Sequence, residues 1–410
     1  MPATLPTTSD NPDWGEEAPR MGHSPAALDG RGCGTLAEVS LPRHDVDPDG
    51  LLEYSVVFTD RSLNHMSKRF VGVMQDILDV LRTTYSAHTV AVVPGGGTYA
   101  MEAVARQLAT DRRCLVVRNG LFSYRWSQIL EAGSVASETT VCRARPASDD
   151  PQTPWAPAPV AEVVEAIERE RPAVVFAAHV ETAAGILLPD EYVRAVADAT
   201  HAVGGLFVLD CVASGAMWVD MAEVGADVLL SAPQKGWSGS PCAGFVMLSE
   251  AGREQVMGTT STSFAVDLQK WLTVSESYLE GQTPYHATMP TDALARDAAL
   301  MLETRSLGLD VLREAQISLG AQVRAMLAEH GYPSVAAAGF EAPSVVVSFT
   351  DDPEVRSGAR FKQRGLQVAA GVPLMCGERD DFSTFRIGLF GLDKLTDVDG
   401  TVERLRAGLG

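Results

Sequence analysis

The chain of 410 residues is short of basic groups: 33 Lys and Arg against 53 Asp and Glu leave a formal net charge of −20. A nucleic acid or an anionic membrane would need a basic face, so this deficit argues against either as the main partner. Any anion the protein uses must be held by a local site. Long apolar runs are missing too. No stretch reaches the roughly 18 apolar residues of a membrane span. The N-terminus, MPATLPTTSDNPDWGEEAPR, lacks the basic region and apolar run of a secretory leader. Cysteine is sparse. The six residues Cys33, Cys114, Cys142, Cys211, Cys242 and Cys376 form no Cys-x-x-Cys pair and no His/Cys cluster at zinc spacing. Several lie in apolar runs, where a free thiol behaves as a small hydrophobe. Together these absences predict a reducing, cytoplasmic setting and no metal centre.

What the sequence does contain is a well-supplied interior. Hydrophobic residues make up 46% and charged residues 21%, and the length predicts two domains. Residues 1–50, rich in Pro, Gly, Asp and Ser, read as a flexible or extended arm. Phe70, Val73, Met74, Ile77, Val80 and Leu81 then recur at helical spacing within 70–85. From there, apolar strands (89–94, 113–120, 173–179, 205–210, 227–232) alternate with amphipathic helices (99–109, 160–172, 190–204). That alternation predicts a mainly parallel sheet covered on both faces. Residues 143–159 read as a surface excursion. From about residue 293 a long helical stretch leads to strands at 344–349, 366–371 and 384–391 and a terminal helix, which predicts a compact α+β domain. The expected division is 51–292 for a large domain and 293–410 for a small one.

In open parallel sheets, ligands bind at the carboxyl ends of the strands. Three features fall there. PGGGT (94–98) joins a strand to a helix, so its backbone N–H groups and the helix dipole can meet an anion. It lacks the Gly-Lys-Ser/Thr ending of a nucleotide loop and the spacing of a dinucleotide fingerprint. A plain turn is the alternative. Asp210 ends the strand GLFVLD, where a buried carboxylate is costly unless paired, although it can also cap the CVASG turn. Lys235 follows 235 − 210 = 25 residues later in SAPQKGWSGSP, with no carboxylate nearby in sequence. A solvated loop lysine is its plain reading. Cradle, acid and isolated lysine together suit pyridoxal 5′-phosphate, which needs a phosphate site, an acid for its pyridine nitrogen and a lysine for its aldehyde. That lysine must spend time neutral, so burial and a nearby cation have to pull it below its usual pKa of about 10.4.

The stretches PGGGTYAMEAVA (94–105), RNGLFSYR (118–125), HVETAAGILLP (179–189), LFVLDCVASGAMWVD (206–220), SAPQKGWSGSPCAGF (231–245), PYHATMPTDAL (284–293) and FRIGLFG (385–391) resemble class V aminotransferases of fold type I. The similarity is to the alanine–glyoxylate and serine–pyruvate enzymes. It implies an α/β fold: a large domain with a mainly parallel seven-stranded sheet between helices, plus a small C-terminal α+β domain. It also implies a homodimer with shared active sites. By the same resemblance Lys235 is the Schiff-base lysine and Asp210 the partner of the pyridine nitrogen, with Val212 against one face of the ring. Gly96, Gly97 and Thr98 match the phosphate-binding turn, with Gln234 as a further donor. Thr182 lies beside the ring oxygen. Phe122 takes the stacking position, with Tyr124 and Trp126 as alternatives and a core phenylalanine as its plain reading. Tyr285 and Thr288 match the segment that reaches the neighbouring subunit's phosphate. Arg386 matches the arginine that grips a substrate's carboxylate through its planar fork; a structural ion pair is the other option.

The implied activity is transfer of an amino group from an Ala- or Ser-like donor to a glyoxylate- or pyruvate-like 2-oxo acid by a ping-pong cycle. Two departures bear on the substrate. A Gly-Pro-rich loop usual in the family is replaced by EYSVVFTDRSLNHMSKRF (53–70), which makes Arg61, Asn64 and His65 the candidate pocket residues there. The segment before Arg386 also looks long, and its Cys376 raises a lyase or cysteine desulfurase as the alternative chemistry. A binding protein that kept the fold without catalysis is a third reading, disfavoured by the presence of Lys235, Asp210 and Arg386 together.

Overall fold

The apolar runs become the strands of a single large sheet. The computed structural model describes residues 41–409, so the expected arm lies mostly outside the described residues. Seven strands make the sheet: β1 (Thr89–Pro94), β2 (Arg113–Arg118), β3 (Glu138–Arg143), β4 (Val174–Ala178), β5 (Leu206–Asp210), β6 (Val228–Ser231) and β7 (Ala243–Leu248). Their spatial order is β1-β7-β6-β5-β4-β2-β3. Strands β2 to β6 run parallel, and β7 alone is antiparallel, to both its neighbours. Every residue of β4, β5, β6 and β7 is buried, as expected of strands covered on both faces. Each buried Val, Leu or Phe there contributes roughly 1.5–3 kcal/mol.

The helices follow the apolar stripes. They are α1 (Lys68–Thr84), α2 (Gly97–Leu108), α3 (Leu121–Ala132), α4 (Val160–Glu170), α5 (Asp190–Ala202), α6 (Leu268–Leu279), α7 (Thr291–Ser306), α8 (Leu309–Glu329) and α9 (Val398–Leu409), with shorter ones between. Ser67 caps α1, its Oγ accepting from the Phe70 N–H at 3.0 Å. Helix α2 begins at Gly97, two residues before the predicted start. Helix α7 packs against α1, and the expected domain division falls in its first turn. None of the described helices is long and apolar enough to cross a membrane.

Beyond α8 the chain forms a three-stranded antiparallel sheet of β8 (Val345–Phe349), β9 (Ala369–Ala370) and β10 (Thr384–Gly388), in the order β8-β10-β9. A second apolar cluster, including Ala183, Ile186, Val345, Val347 and Phe349, fastens this sheet to the loop after β4. The carboxyl end of the large sheet therefore faces a wall made by the small one.

Candidate active site

Asp210 and Lys235 are brought together by strand order. Strands β5 and β6 are neighbours, and Leu230 pairs with Asp210 across them. Lys235 stands four residues past Ser231, the end of β6 (235 − 231). Its turn is tight: a Cβ on Gly236 would come within 2.4 Å of the Gly215 carbonyl oxygen. The turn leads into β7, whose Ala243 pairs with Pro94 at the end of β1. The N–H of Gly95 donates to the Cys242 carbonyl at 2.8 Å. The glycine turn and the lysine turn are thus fixed to each other.

Gly96 is the N-cap of α2 and Gly97 its first residue. A Cβ on Gly97 would meet the Val212 methyls at 3.0 Å, so any larger residue would have to push that side chain aside. Among the described residues no acceptor takes the N–H of Gly97 or Thr98. These are the orphan donors of a helix start, aimed where an anion would sit.

These turns open on a cavity of about 530 Å³, within the size range of small-ligand sites. Gly97, Thr98, Asp210, Val212, Gln234 and Lys235 all line it. Phe122 from α3, Thr182 from the loop after β4, and Arg386 from β10 also line it, whereas Gly96 does not. Two guanidinium groups approach the Phe122 ring, Arg125 at 5.2 Å and Arg386 at 5.6 Å from its centre. Trp126 is instead fully buried and stacks on Phe176 at 4.4 Å, while Tyr124 sits under the Arg118 guanidinium. Neither alternative to Phe122 lines the cavity.

Burial sets the electrostatics. It raises the Asp210 carboxyl to about 6, against the pull of the Val212 N–H that donates to it at 3.0 Å. Burial lowers the Lys235 ammonium, and the positive charge of Arg386 lowers it further. The Lys235 Nζ lies 4.8 Å from the centre of the Phe390 ring. Arg386 spends its Nε–H on the Ala370 carbonyl at 2.9 Å, and among the described residues it forms no ion pair. Its two terminal nitrogens remain for an anion.

The family model for class-V aminotransferases matches residues 51–354, most of the chain. The chain is a class-V aminotransferase. It is accordingly a pyridoxal-phosphate-dependent transaminase of fold type I. One relative, a 2-aminoethylphosphonate–pyruvate transaminase of Pseudomonas aeruginosa, is 30% identical over 311 residues, 74% of this chain and 78% of the relative. Another of the same name from Paraburkholderia phymatum is 28% identical over 337 residues, covering 81% and 84%. Among solved structures, an alanine–glyoxylate aminotransferase of Nostoc superposes with a TM-score of 0.70 at 21% identity, covering 85% of this chain and 89% of that one. An aspartate aminotransferase of Thermus thermophilus gives 0.70 at 24%, covering 85% and 92%.

The residues of this aminotransferase fit the cofactor on their own geometry. The Gln234 amide oxygen is buried without a partner, and a flip of the amide would present its NH₂ instead. Asp210 is a buried acid with one N–H donor, a setting that a cationic ring nitrogen would complete. One other expectation needs correction. Arg61, Asn64 and His65 do not line the cavity: Arg61 is exposed, Asn64 donates to Glu53 at 2.9 Å, and His65 lies against the rings of Phe58 and Tyr285. Tyr285 and Thr288 are exposed and hydrogen-bonded to each other at 3.2 Å, outside the cavity of their own chain.

Cys376 does not support desulfurase chemistry. Its thiol is 3.5 Å from the Arg118 carbonyl, burial pushes it up to about 12, and it does not line the cavity. A persulfide-forming cysteine has to be a thiolate within reach of substrate. Cys376→Ala should keep transaminase turnover within about twofold, since no mechanism of large effect applies to it. Steady-state assay of the purified variant checks this.

Several cavity residues were missed by sequence reasoning, Arg125 and Phe390 among them. Arg125 lay within the motif RNGLFSYR but was given no role there. Phe390 lay in FRIGLFG, where an apolar residue gives no sign of touching a lysine.

Proposed function

We propose that this transaminase moves an amino group from a small donor to a 2-oxo acid of the glyoxylate or pyruvate type. The carrying observation is one cavity that holds a desolvated Lys235, free of acidic partners, beside the uncommitted fork of Arg386. Bound pyridoxal phosphate supplies the aldehyde and the electron sink. Lys235 Nζ takes the proton from the donor's α-carbon and delivers it as general acid–base. Asp210, ionised, would partner the cofactor's ring nitrogen and favour its protonated form. Gly96, Gly97, Thr98 and Gln234 would hold its phosphate, Phe122 and Val212 would confine its ring, and Thr182 would lie beside the ring oxygen. Arg386 would grip the carboxylate of an amino-acid donor in the first half-reaction and that of the 2-oxo acid in the second.

The named relatives use pyruvate and a phosphonate-bearing amine, so the donor class to be tested includes 2-aminoethylphosphonate beside L-alanine and L-serine. The test follows the visible absorbance of the holoenzyme. A donor should bleach the cofactor band, and pyruvate or glyoxylate should restore it. Release of sulfide from L-cysteine, or of ammonia with pyruvate, in place of that cycle would refute transfer. Arg386→Ala should raise the KM of the 2-oxo acid roughly 10- to 100-fold, and Arg386→Lys should recover only part of it, having lost the fork.

We further infer a homodimer in which Tyr285 and Thr288 serve the partner's phosphate. Support comes from the segment that packs His65 against Tyr285, which also exposes Leu51, Tyr54 and Val56, at 87%, 89% and 103% relative exposure. Such apolar exposure suits a covered surface. A cytoplasmic setting belongs to the same proposal, in keeping with the free thiols at Cys114, Cys142, Cys211, Cys242 and Cys376.

A further inference from the structure

Every group assigned above to the cofactor's phosphate is electrically neutral: backbone N–H groups, the Thr98 hydroxyl and the Gln234 amide, with Tyr285 and Thr288 of a second subunit. A phosphate monoester carries close to two negative charges at neutral pH. The chain itself has a net charge of −20, so the global field opposes the binding of such an anion. A local cation is called for, and Lys235 is committed to the aldehyde.

We propose that Arg125 is this cation, a phosphate-binding residue whose guanidinium completes the cradle formed by the first turn of α2. Four observations place it there. Arg125 follows Phe122 by three positions on α3, which sets both on one helix face, and both line the cavity. Its Nη1 donates to Thr98 Oγ1 at 3.0 Å, and Thr98 lies in the first turn of α2 beside the unpartnered N–H groups. Among the described residues Arg125 forms no ion pair, in a chain where acids outnumber bases. Its guanidinium and that of Arg386 both lie over the Phe122 ring, at 5.2 and 5.6 Å from its centre. The two guanidinium groups thereby divide the work. Arg386, on the small sheet, faces the substrate carboxylate, and Arg125, at the glycine turn, faces the phosphate.

The inference rests on the phosphate-cradle reading, so the experiment separates the two. Cofactor is removed by dialysis, and the affinities of pyridoxal 5′-phosphate and of pyridoxal are measured by absorbance titration for wild type, Arg125→Gln and Arg125→Lys. Near-ultraviolet circular dichroism verifies that each variant is folded. Wild type should prefer the phosphorylated form strongly. Arg125→Gln should lose about 10- to 100-fold in affinity for that form, the scale of one charge-assisted contact, with pyridoxal affinity unchanged. Arg125→Lys should recover part of the loss. Inorganic phosphate should compete with the cofactor in wild type and much less in Arg125→Gln. A wild-type preference retained by Arg125→Gln would overturn the inference and leave the cradle standing. No preference in wild type would instead defeat the cradle. Unchanged cofactor affinity with a raised KM for 2-aminoethylphosphonate alone would assign Arg125 to the substrate and overturn the inference as well.

Discussion

Replacing Lys235 by alanine should lower kcat for amino transfer by at least about 10³-fold, because general acid–base work alone contributes about 10²–10⁴ and the covalent hold on the cofactor is lost with it. The expected spectrum of the purified variant is that of loosely held pyridoxal phosphate, removable by gel filtration. Lys235→Arg should do no better. A guanidinium stays protonated at any usable pH, so burial and Arg386, which make Lys235 easier to deprotonate, cannot make it a base. A small primary amine added to Lys235→Ala should restore part of the turnover. Wild-type kcat in the alanine variant would remove the central role given to this residue, whatever its spectrum.

Asp210→Asn should act in opposite directions on activity and on the cofactor-free fold. In the loaded enzyme it removes one partner of a buried ion pair with the ring nitrogen, and kcat should fall roughly 10²- to 10³-fold. Without cofactor, burial holds the Asp210 carboxyl near 6, above its unfolded value. Between about pH 4 and pH 6 the folded state therefore keeps a proton that the unfolded chain has released. Stability declines as pH rises through that window, and the penalty is complete above it. An asparagine never ionises. The variant should gain on the order of 3 kcal/mol at pH 7.5, two pH units at about 1.4 kcal/mol each, and almost nothing near pH 4. Denaturant unfolding of the cofactor-free proteins at both pH values checks the sign. Equal stability of variant and wild type at pH 7.5 would mean that Asp210 already has a compensating partner.

Much of this site was legible because its residues stand at the ends of apolar strands. Asp210 closes β5 and Lys235 follows β6, and both strands are continuous buried runs that periodicity identifies without ambiguity. Strand β3 was not anticipated, since ETTVCR is polar and only partly buried at the sheet's edge. Strand β7 was hidden for another reason. AGFVML follows a turn rich in Gly, Ser and Pro with no intervening helix, which breaks the alternation that marked the other strands. Arg125 was invisible because its meaning lies in Thr98, 27 residues away in sequence. The pocket role expected for Arg61, Asn64 and His65 failed because Asn64 and His65 turn to Glu53 and Phe58 within their own segment and to the remote Tyr285, contacts that residue type alone does not reveal.

The antiparallel strand β7 also sets a schedule for assembly. β1, which carries the glycine turn at its end, is an edge strand paired with β7 alone in the large sheet. Their first contact, Pro94 with Ala243, spans 243 − 94 = 149 residues. Closing so long a loop is entropically slow, and contacts of this kind form late in folding. On the ribosome, β1 must wait with its backbone unpaired until the chain has grown past residue 248. The anion cradle therefore cannot precede the lysine turn in time, since both are completed by the arrival of the same strand.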